Sequence, residues 1–344
     1  MSKYSMVELL RACSKMSLEK KDEDVILYYL DNLNDYMVEL IRRHKIHFLF
    51  LKHIKYLSCM SKIDYRIIGK LSNELFCFQF IYKEYLENLK QFCNYKVIQN
   101  AEYAILKGFS FIHDLYTENN VMYRPFGDVD ILIQVEKIQD VDTVLKKLHM
   151  IQGKIVEDKI IAAPRRDIVY WRLNSHQLHE YVKFSKYSQV SSIYKVDFDI
   201  NTSIFEGGKK ADPIESREIL RHRIKRKITG DLEIYCLDYT YGLIQLCYHF
   251  YKDTIYEVKK KTHKDYCLIK FCDIREYVLL YGSRVNWKEF IELTNNAEIG
   301  NEIYYTLELV SKFYGDLQIE NILEKINIRK KNRKSSYDWE KLLL

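Results

Sequence analysis

The sequence predicts an α+β fold in which a small mixed β-sheet core is flanked by N-terminal and C-terminal helical regions. Three observations carry that expectation. A single glycine, Gly69, precedes Gly108, and the three prolines, at 125, 164 and 213, all follow it. Apolar residues recur at three- and four-residue spacing toward both ends, as one face of a helix requires. Period-two alternation, which places neighbouring side chains on opposite faces of a strand, is concentrated between residues 98 and 205.

The elements follow in chain order. Residues 1 to about 97, nearly free of helix breakers, read as a helical subdomain, with stripes at Val25, Ile26, Tyr29, Leu30 and Leu33 and at Met37, Leu40 and Ile41. Ile67 through Phe92 reads as one long helix leading into the first strand. Strands are expected near 102–106, 128–135, 153–162, 167–173, 178–184 and 193–200, with helices at 109–117 and 137–149. The second of these helices aligns Ile138, Val141, Val144, Leu145 and Leu148 on one side. From about 214, after Asp212-Pro213, the pattern returns to helices as far as Gly315. The resulting division is a helical subdomain at 1–97, a core at 98–205, a helical domain at 206–318 and a basic tail at 319–344.

Composition narrows the function classes. A chain of 344 residues with 47% apolar and 30% charged residues has the make-up of a folded protein with a substantial core. No apolar run approaches the eighteen or so residues that cross a bilayer, and Glu8, Arg11 and Lys15 interrupt the N-terminal apolar residues, so a cytoplasmic protein with no membrane partner is expected. The eight cysteines lack Cys-x-x-Cys spacing and read as reduced, buried thiols. Net charge is +6, gathered in runs at Arg217–Lys227, Lys259–Lys264 and Arg329–Lys334. Such runs attract phosphates by salt-screened forces, yet solvated helix faces and a tail are their ordinary use, and no aromatic-interleaved RNA-binding motif accompanies them.

The chemistry concentrates in two alternating segments. Asp128 and Asp130 sit one strand repeat apart, about 6.6 Å along the backbone, at the mouth of the apolar run Val129, Ile131, Leu132 and Ile133. Two carboxylates on one face suit a hard divalent cation, because Mg2+ takes oxygen ligands and is commonly held by carboxylates together with substrate phosphates. Upstream, a short strand, the turn Lys107-Gly108 and a helix start form a phosphate cradle, since the first N–H groups of a helix lack internal partners and carry the positive end of its dipole. Lys107 adds a cation there, and Gly108 permits close backbone approach. The segment Val196-Asp197-Phe198-Asp199-Ile200 alternates likewise, with Asp197 and Asp199 on one face. The pattern points to metal-dependent nucleotidyl transfer.

The order Leu106-Lys107-Gly108, an aliphatic helix, then Arg124-Pro125-Phe126-Gly127-Asp128-Val129-Asp130-Ile131-Leu132-Ile133 resembles the uncharacterised nucleotidyltransferase family of the polymerase-beta-like superfamily. Leu40–Ile46, Leu243–His249, Phe271–Ile274 and Asn286-Trp287 are similar to that family's flanking helices. The resemblance implies Asp128, Asp130 and Asp197 as catalytic metal ligands, with Asp199 standing where the family usually has histidine. Asp199 is then an extra ligand, a general base or a solvated carboxylate. It further implies two Mg2+ ions and a nucleoside triphosphate such as ATP, whose NMP passes to a hydroxyl of a small molecule or protein with release of pyrophosphate. Lys107, Gly108 and Arg124 are candidates for the phosphates, and His249 and Asp273 for lining the nucleotide cleft from the C-terminal helices. Two other readings stay open: a nucleotide-binding, antitoxin-like interaction protein that keeps the fold without transfer, and an RNA-modifying nucleotidyltransferase.

Overall fold

The computed structural model describes residues 3–188, 195–205, 212–255, 267–328 and 343. The chain forms two compact units, one made of Met1–Phe76, Leu115–Pro125 and Leu246–Leu344, the other of Cys77–Asp114 and Phe126–Gln245. The first unit begins with helices α1 (Met6–Cys13), α2 (Lys20–Leu30), α3 (Asp35–Arg43) and α4 (His47–Tyr56). A capping box starts α1: Ser5 Oγ accepts from the Glu8 N–H while a Glu8 carboxylate oxygen accepts from the Ser5 N–H. The expected stripe is the buried face of α2, where Val25, Ile26, Tyr29 and Leu30 all leave solvent, and Leu40 and Ile41 do the same on α3. The expected long helix is α5 (Tyr65–Asn94), thirty residues without proline.

The second unit is built on a mixed sheet of eight strands among the described residues. They are β1 (Tyr103–Ile105), β2 (Val129–Ile133), β3 (Ile151–Val156), β4 (Lys159–Ala162), β5 (Tyr181–Phe184), β6 (Lys195–Asn201), β7 (Ile224–Thr229) and β8 (Leu232–Cys236). Their order across the sheet is β4-β3-β5-β6-β2-β1-β8-β7, with β2 parallel to β6, β1 parallel to β8 and the other neighbours antiparallel. Helix α6 (Lys107–Tyr116) follows β1, α7 (Ile138–Lys147) follows β2, and α7 buries Ile138, Val141, Val144 and Leu145 as its spacing requires. All five residues of β2 are buried, so the strand is anchored from both faces. Each fully buried aliphatic side chain there contributes about 1.5–3 kcal/mol. The sheet core flanked by helical regions is the expected α+β architecture.

Three local expectations are corrected. The segment 153–162 is two strands, joined by a turn in which Glu157 and Asp158 both take positive φ, 47° and 59°. That turn geometry ordinarily goes with Asn-Gly or Asp-Gly, so the residues gave no signal. The expected strand at 167–173 is helix α8 (Arg165–Asn174), which starts after Pro164 and buries none of its residues. Its Ile, Val, Tyr and Trp favour strands only where they have a sheet face to pack on. The third correction is β7–β8, a hairpin within the stretch expected to be helical, turning through Gly230 at φ 53°. Residues 193–194 of the last expected strand lie outside the described residues, as do the basic runs at Lys259–Lys264 and Arg329–Lys334.

Helix α9 (Tyr239–Ile255) leaves the sheet, and α10 (Leu268–Tyr281), α11 (Trp287–Asn296) and α12 (Gly300–Tyr314) complete the helical unit. Helix α12 ends at Gly315, which caps it in the left-handed conformation at φ 74°. Among the described residues no helix is long and apolar enough to cross a membrane. All eight cysteines are free thiols, and seven are buried.

Candidate active site

The parallel pairing of β2 with β6 brings the acidic residues together. Asp130 lies directly abreast of Asp199, and continuing the same register two residues back, one beyond the Val129–Phe198 pair, brings Asp128 to the level of Asp197. Alternation along each strand keeps Asp128 with Asp130 and Asp197 with Asp199, so the four carboxylates share one face of the sheet. Asp130 and Asp197 are 4% and 5% exposed, whereas Asp199 is half-buried and Asp128 is exposed. On each strand one carboxylate is buried and the other is more open to solvent.

Two ammonium groups offset part of this charge. Lys107 Nζ lies 2.8 Å from Asp130 Oδ1, which also accepts from Asn201 Nδ2 at 3.2 Å. Lys195 pairs with Asp197 Oδ2 and, at 3.3 Å, with Glu180. Burial pushes the Asp197 carboxyl up to about 7, with Lys195 pulling against it and Asp128 adding to it. The Asp199 carboxyl is raised well above the usual range, by burial first and then by Asp128, Asp130 and Asp197. Burial opposes the charged form of Lys107, but Asp130 and Asp128 outweigh it and raise the ammonium pKa.

The Lys107-Gly108 turn is tighter than a plain strand-to-helix connection. Lys107 opens α6 at φ 48°, a conformation that costs a non-glycine residue about 1–3 kcal/mol. It is held from both ends: its N–H donates to Gln245 Oε1 at 3.0 Å, and its side chain reaches Asp130. Gly108 follows as the second residue of that helix.

Tyr85, on α5, is buried and makes two main-chain contacts at the site. Its hydroxyl donates to the Gly127 carbonyl at 2.5 Å and accepts from the Asp197 N–H at 3.0 Å. Phe126, next to Gly127, packs edge-on against Tyr85, Phe78 and Phe109 at centroid distances of 5.0, 5.3 and 5.2 Å. This aromatic cluster seats the loop that presents Asp128. Sequence reasoning missed Tyr85, Gln245, Lys195 and Asn201. The last two were legible, because 195, 197, 199 and 201 continue one period-two face.

The remaining candidates belong to the helical unit. Arg124 forms a two-pronged pair with Asp273, at 2.7 and 2.6 Å, and Tyr116 donates to the same carboxylate at 2.8 Å. His249 Nε2 lies 3.2 Å from Asp253, one helical turn onward. Much of the basic run at Arg217–Lys227 is ion-paired: Arg217 with Glu136, Arg223 with Glu102, Lys225 with Glu233 and Arg226 with Asp114.

The donor set can be tested against a divalent cation. Among the described residues no three acidic, imidazole or thiol side chains already stand as a cation-binding group. The donors nevertheless fit Mg2+ in kind: all are carboxylate oxygens, and Asp197 Oδ1 is buried with no hydrogen-bonding partner. The carboxylates on this face repel one another, a repulsion that a cation would relieve.

The model of one protein family, described as uncharacterised nucleotidyltransferase, matches residues 33–315 of the 344. The match takes in both acidic strands, the Lys107-Gly108 turn and α5. No curated protein matches the chain.

Proposed function

The chain belongs to the uncharacterised nucleotidyltransferase family, and from that premise we propose that it is a Mg2+-dependent enzyme moving an NMP from a nucleoside triphosphate to an acceptor hydroxyl. The observation that carries this reading is the register that sets Asp130 abreast of Asp199, with Asp128 and Asp197 on the same face. Asp128, Asp130 and Asp197 would hold two Mg2+ ions. When bound, these ions polarise phosphoryl oxygens and make the acceptor hydroxyl more acidic.

The chain's own groups supply positioning and charge, which is most of what phosphoryl transfer asks of a protein. The N–H groups at the start of α6, from Gly108 onward, face the terminal phosphates. The Lys107 ammonium moves between Asp130 and the phosphate charge that grows as pyrophosphate leaves. Asp199, which lies abreast of Asp130 on the same face, accepts the hydroxyl proton. Arg124 and Asp273 satisfy each other and carry no part in this reading, and His249 carries none while paired with Asp253. The acceptor is a small molecule or a protein side chain. The ion-paired state of the basic run at Arg217–Lys227 weighs against RNA.

Incubation with each α-labelled NTP and Mg2+, alone and with cell extract, tests the proposal. Label should pass to an acceptor and fall at least about a hundredfold in the Asp128→Ala, Asp130→Ala double variant. Transfer that survives the double change removes these residues from the mechanism. Nucleotide binding without a labelled product favours the interaction-protein reading instead.

A further inference from the structure

The hydroxyl of Tyr85 occupies a rung of the sheet. Leu106 donates its N–H to the Asp130 carbonyl at 2.9 Å, so the main-chain groups of Asp130 face β1. In an extended chain the adjacent odd-numbered residues face the other way, toward β6. Continuing the parallel ladder one step past Val129 makes the Gly127 carbonyl the acceptor for the Asp197 N–H. Those two groups are instead joined through Tyr85, which accepts from one at 3.0 Å and donates to the other at 2.5 Å. Two bonds in series span more than the single bond of about 2.9 Å that they replace.

We propose that Tyr85 is a positioning residue: its hydroxyl, inserted between β2 and β6, sets the spacing of Asp128 from Asp197 and so shapes the place where the cation-bound triphosphate sits. This rests on the nucleotidyl-transfer reading for its purpose, but not for its geometry. The neighbouring side chains keep the wedge in place. Tyr85 is fully buried and packs against Phe126 and Phe109 at 5.0 and 6.3 Å. Without the hydroxyl the strands either close to a direct rung or leave both main-chain groups unpaired. The first outcome moves a carboxylate, and the second frees the main chain that holds it.

The test is Tyr85→Phe, which keeps the ring and its packing and removes only the oxygen. Tyr82→Phe serves as the control, since Tyr82 lies on the same helix and spends its hydroxyl on His113. Three quantities are measured: amide hydrogen exchange in peptides spanning 126–130 and 195–199, Mn2+ affinity by electron paramagnetic resonance without nucleotide, and kcat and KM for transfer. In Tyr85→Phe, exchange at Asp197 should change, Mn2+ affinity should fall about 10–100-fold, and kcat should fall with it while KM moves less. Tyr82→Phe should leave all three unchanged. Mn2+ affinity and kcat in Tyr85→Phe that match wild type overturn the proposal, as does an equal loss in the control. If the wild-type protein neither binds Mn2+ nor transfers nucleotide, the nucleotidyl-transfer reading fails. The exchange data then decide the wedge alone: altered protection at Asp197 upholds it, and unaltered protection overturns it.

Discussion

Lys107 Nζ stands 2.8 Å from Asp130 Oδ1, so the residue that opens α6 is tied directly to an acidic strand. The Lys107 side chain is 25% exposed and that of Asp130 is 4% exposed. The pair is therefore partly screened on one side and desolvated on the other. Lys107 also carries the strained φ of 48°. One residue thus holds a charge and a backbone conformation at the same point.

These two roles are separable by substitution. Lys107→Ala should destabilise the metal-free protein by about 2 kcal/mol, below the usual cost of orphaning a buried charge because the ammonium is partly solvated. Lys107→Gly should be less destabilising than Lys107→Ala by about 1 kcal/mol, since glycine adopts positive φ without strain. Mg2+ should restore part of the loss in both by taking over the charge on Asp130. Urea unfolding in EDTA and in Mg2+ measures each quantity.

The raised carboxyls predict a pH dependence of definite sign. A carboxyl with a raised folded-state pKa adds stability below its unfolded value of about 3.9 and withdraws it as pH climbs through the folded value. For Asp197 that window closes at about 7. The metal-free protein should lose about 2 kcal/mol between pH 5 and pH 8. Asp197→Asn should flatten the slope, and Mg2+ should reduce it. Denaturant midpoints that rise across this range would contradict the electrostatics of the acidic face.

Asp273 should behave as a structural partner of Arg124. The two side chains are 5% and 11% exposed, and Tyr116 spends its hydroxyl on the same carboxylate. Asp273→Ala should cost about 3–5 kcal/mol, because a buried guanidinium loses its counter-charge. Nucleotide affinity of the folded protein, measured by equilibrium binding at low temperature, should change little. A selective loss of affinity at unchanged stability would return Asp273 to the nucleotide site.

Asn201 should matter through the carboxylates it touches. It donates at 3.2 Å to Asp130 Oδ1 and at 3.1 Å to the Asp199 carbonyl. Asn201→Ala should lower divalent-cation affinity about tenfold, as loss of an outer partner of a ligand does. Calorimetric titration with Mn2+ reads the change directly.

The legible parts of the molecule were those where periodicity and packing agree. The faces of α2 and α7, the length of α5 and the two acidic strands could all be read from spacing. Strands at 181–184 and 195–201 fell within or near their expected bounds for the same reason. The failures have physical causes. Helix α8 is made of residues that favour strands but have no sheet face to cover. The hairpin β7–β8 carries a two-residue Gly230-Asp231 turn between alternating runs, a signal obscured by reading its lysines and arginines as a helix face. Local pattern placed Asp128 and Asp130 together and Asp197 and Asp199 together. Their convergence depends on strand pairing, and the roles of Tyr85 and Gln245 depend on tertiary approach from distant helices. Neither is encoded in any window of sequence.

Strand β8 lies beside β1 through Ile105 and Cys236, and the helix that follows it carries Gln245, the acceptor for the Lys107 N–H. The sheet unit is therefore closed by chain that arrives about a hundred residues after the strand bearing Asp130. A version of the protein cut at 205 would retain every proposed ligand. It would also bare an edge of unpaired main-chain groups ready to pair with another molecule and release the N–H of Lys107. The smallest autonomous enzyme should thus reach beyond residue 245, and shorter fragments should aggregate before they can be assayed.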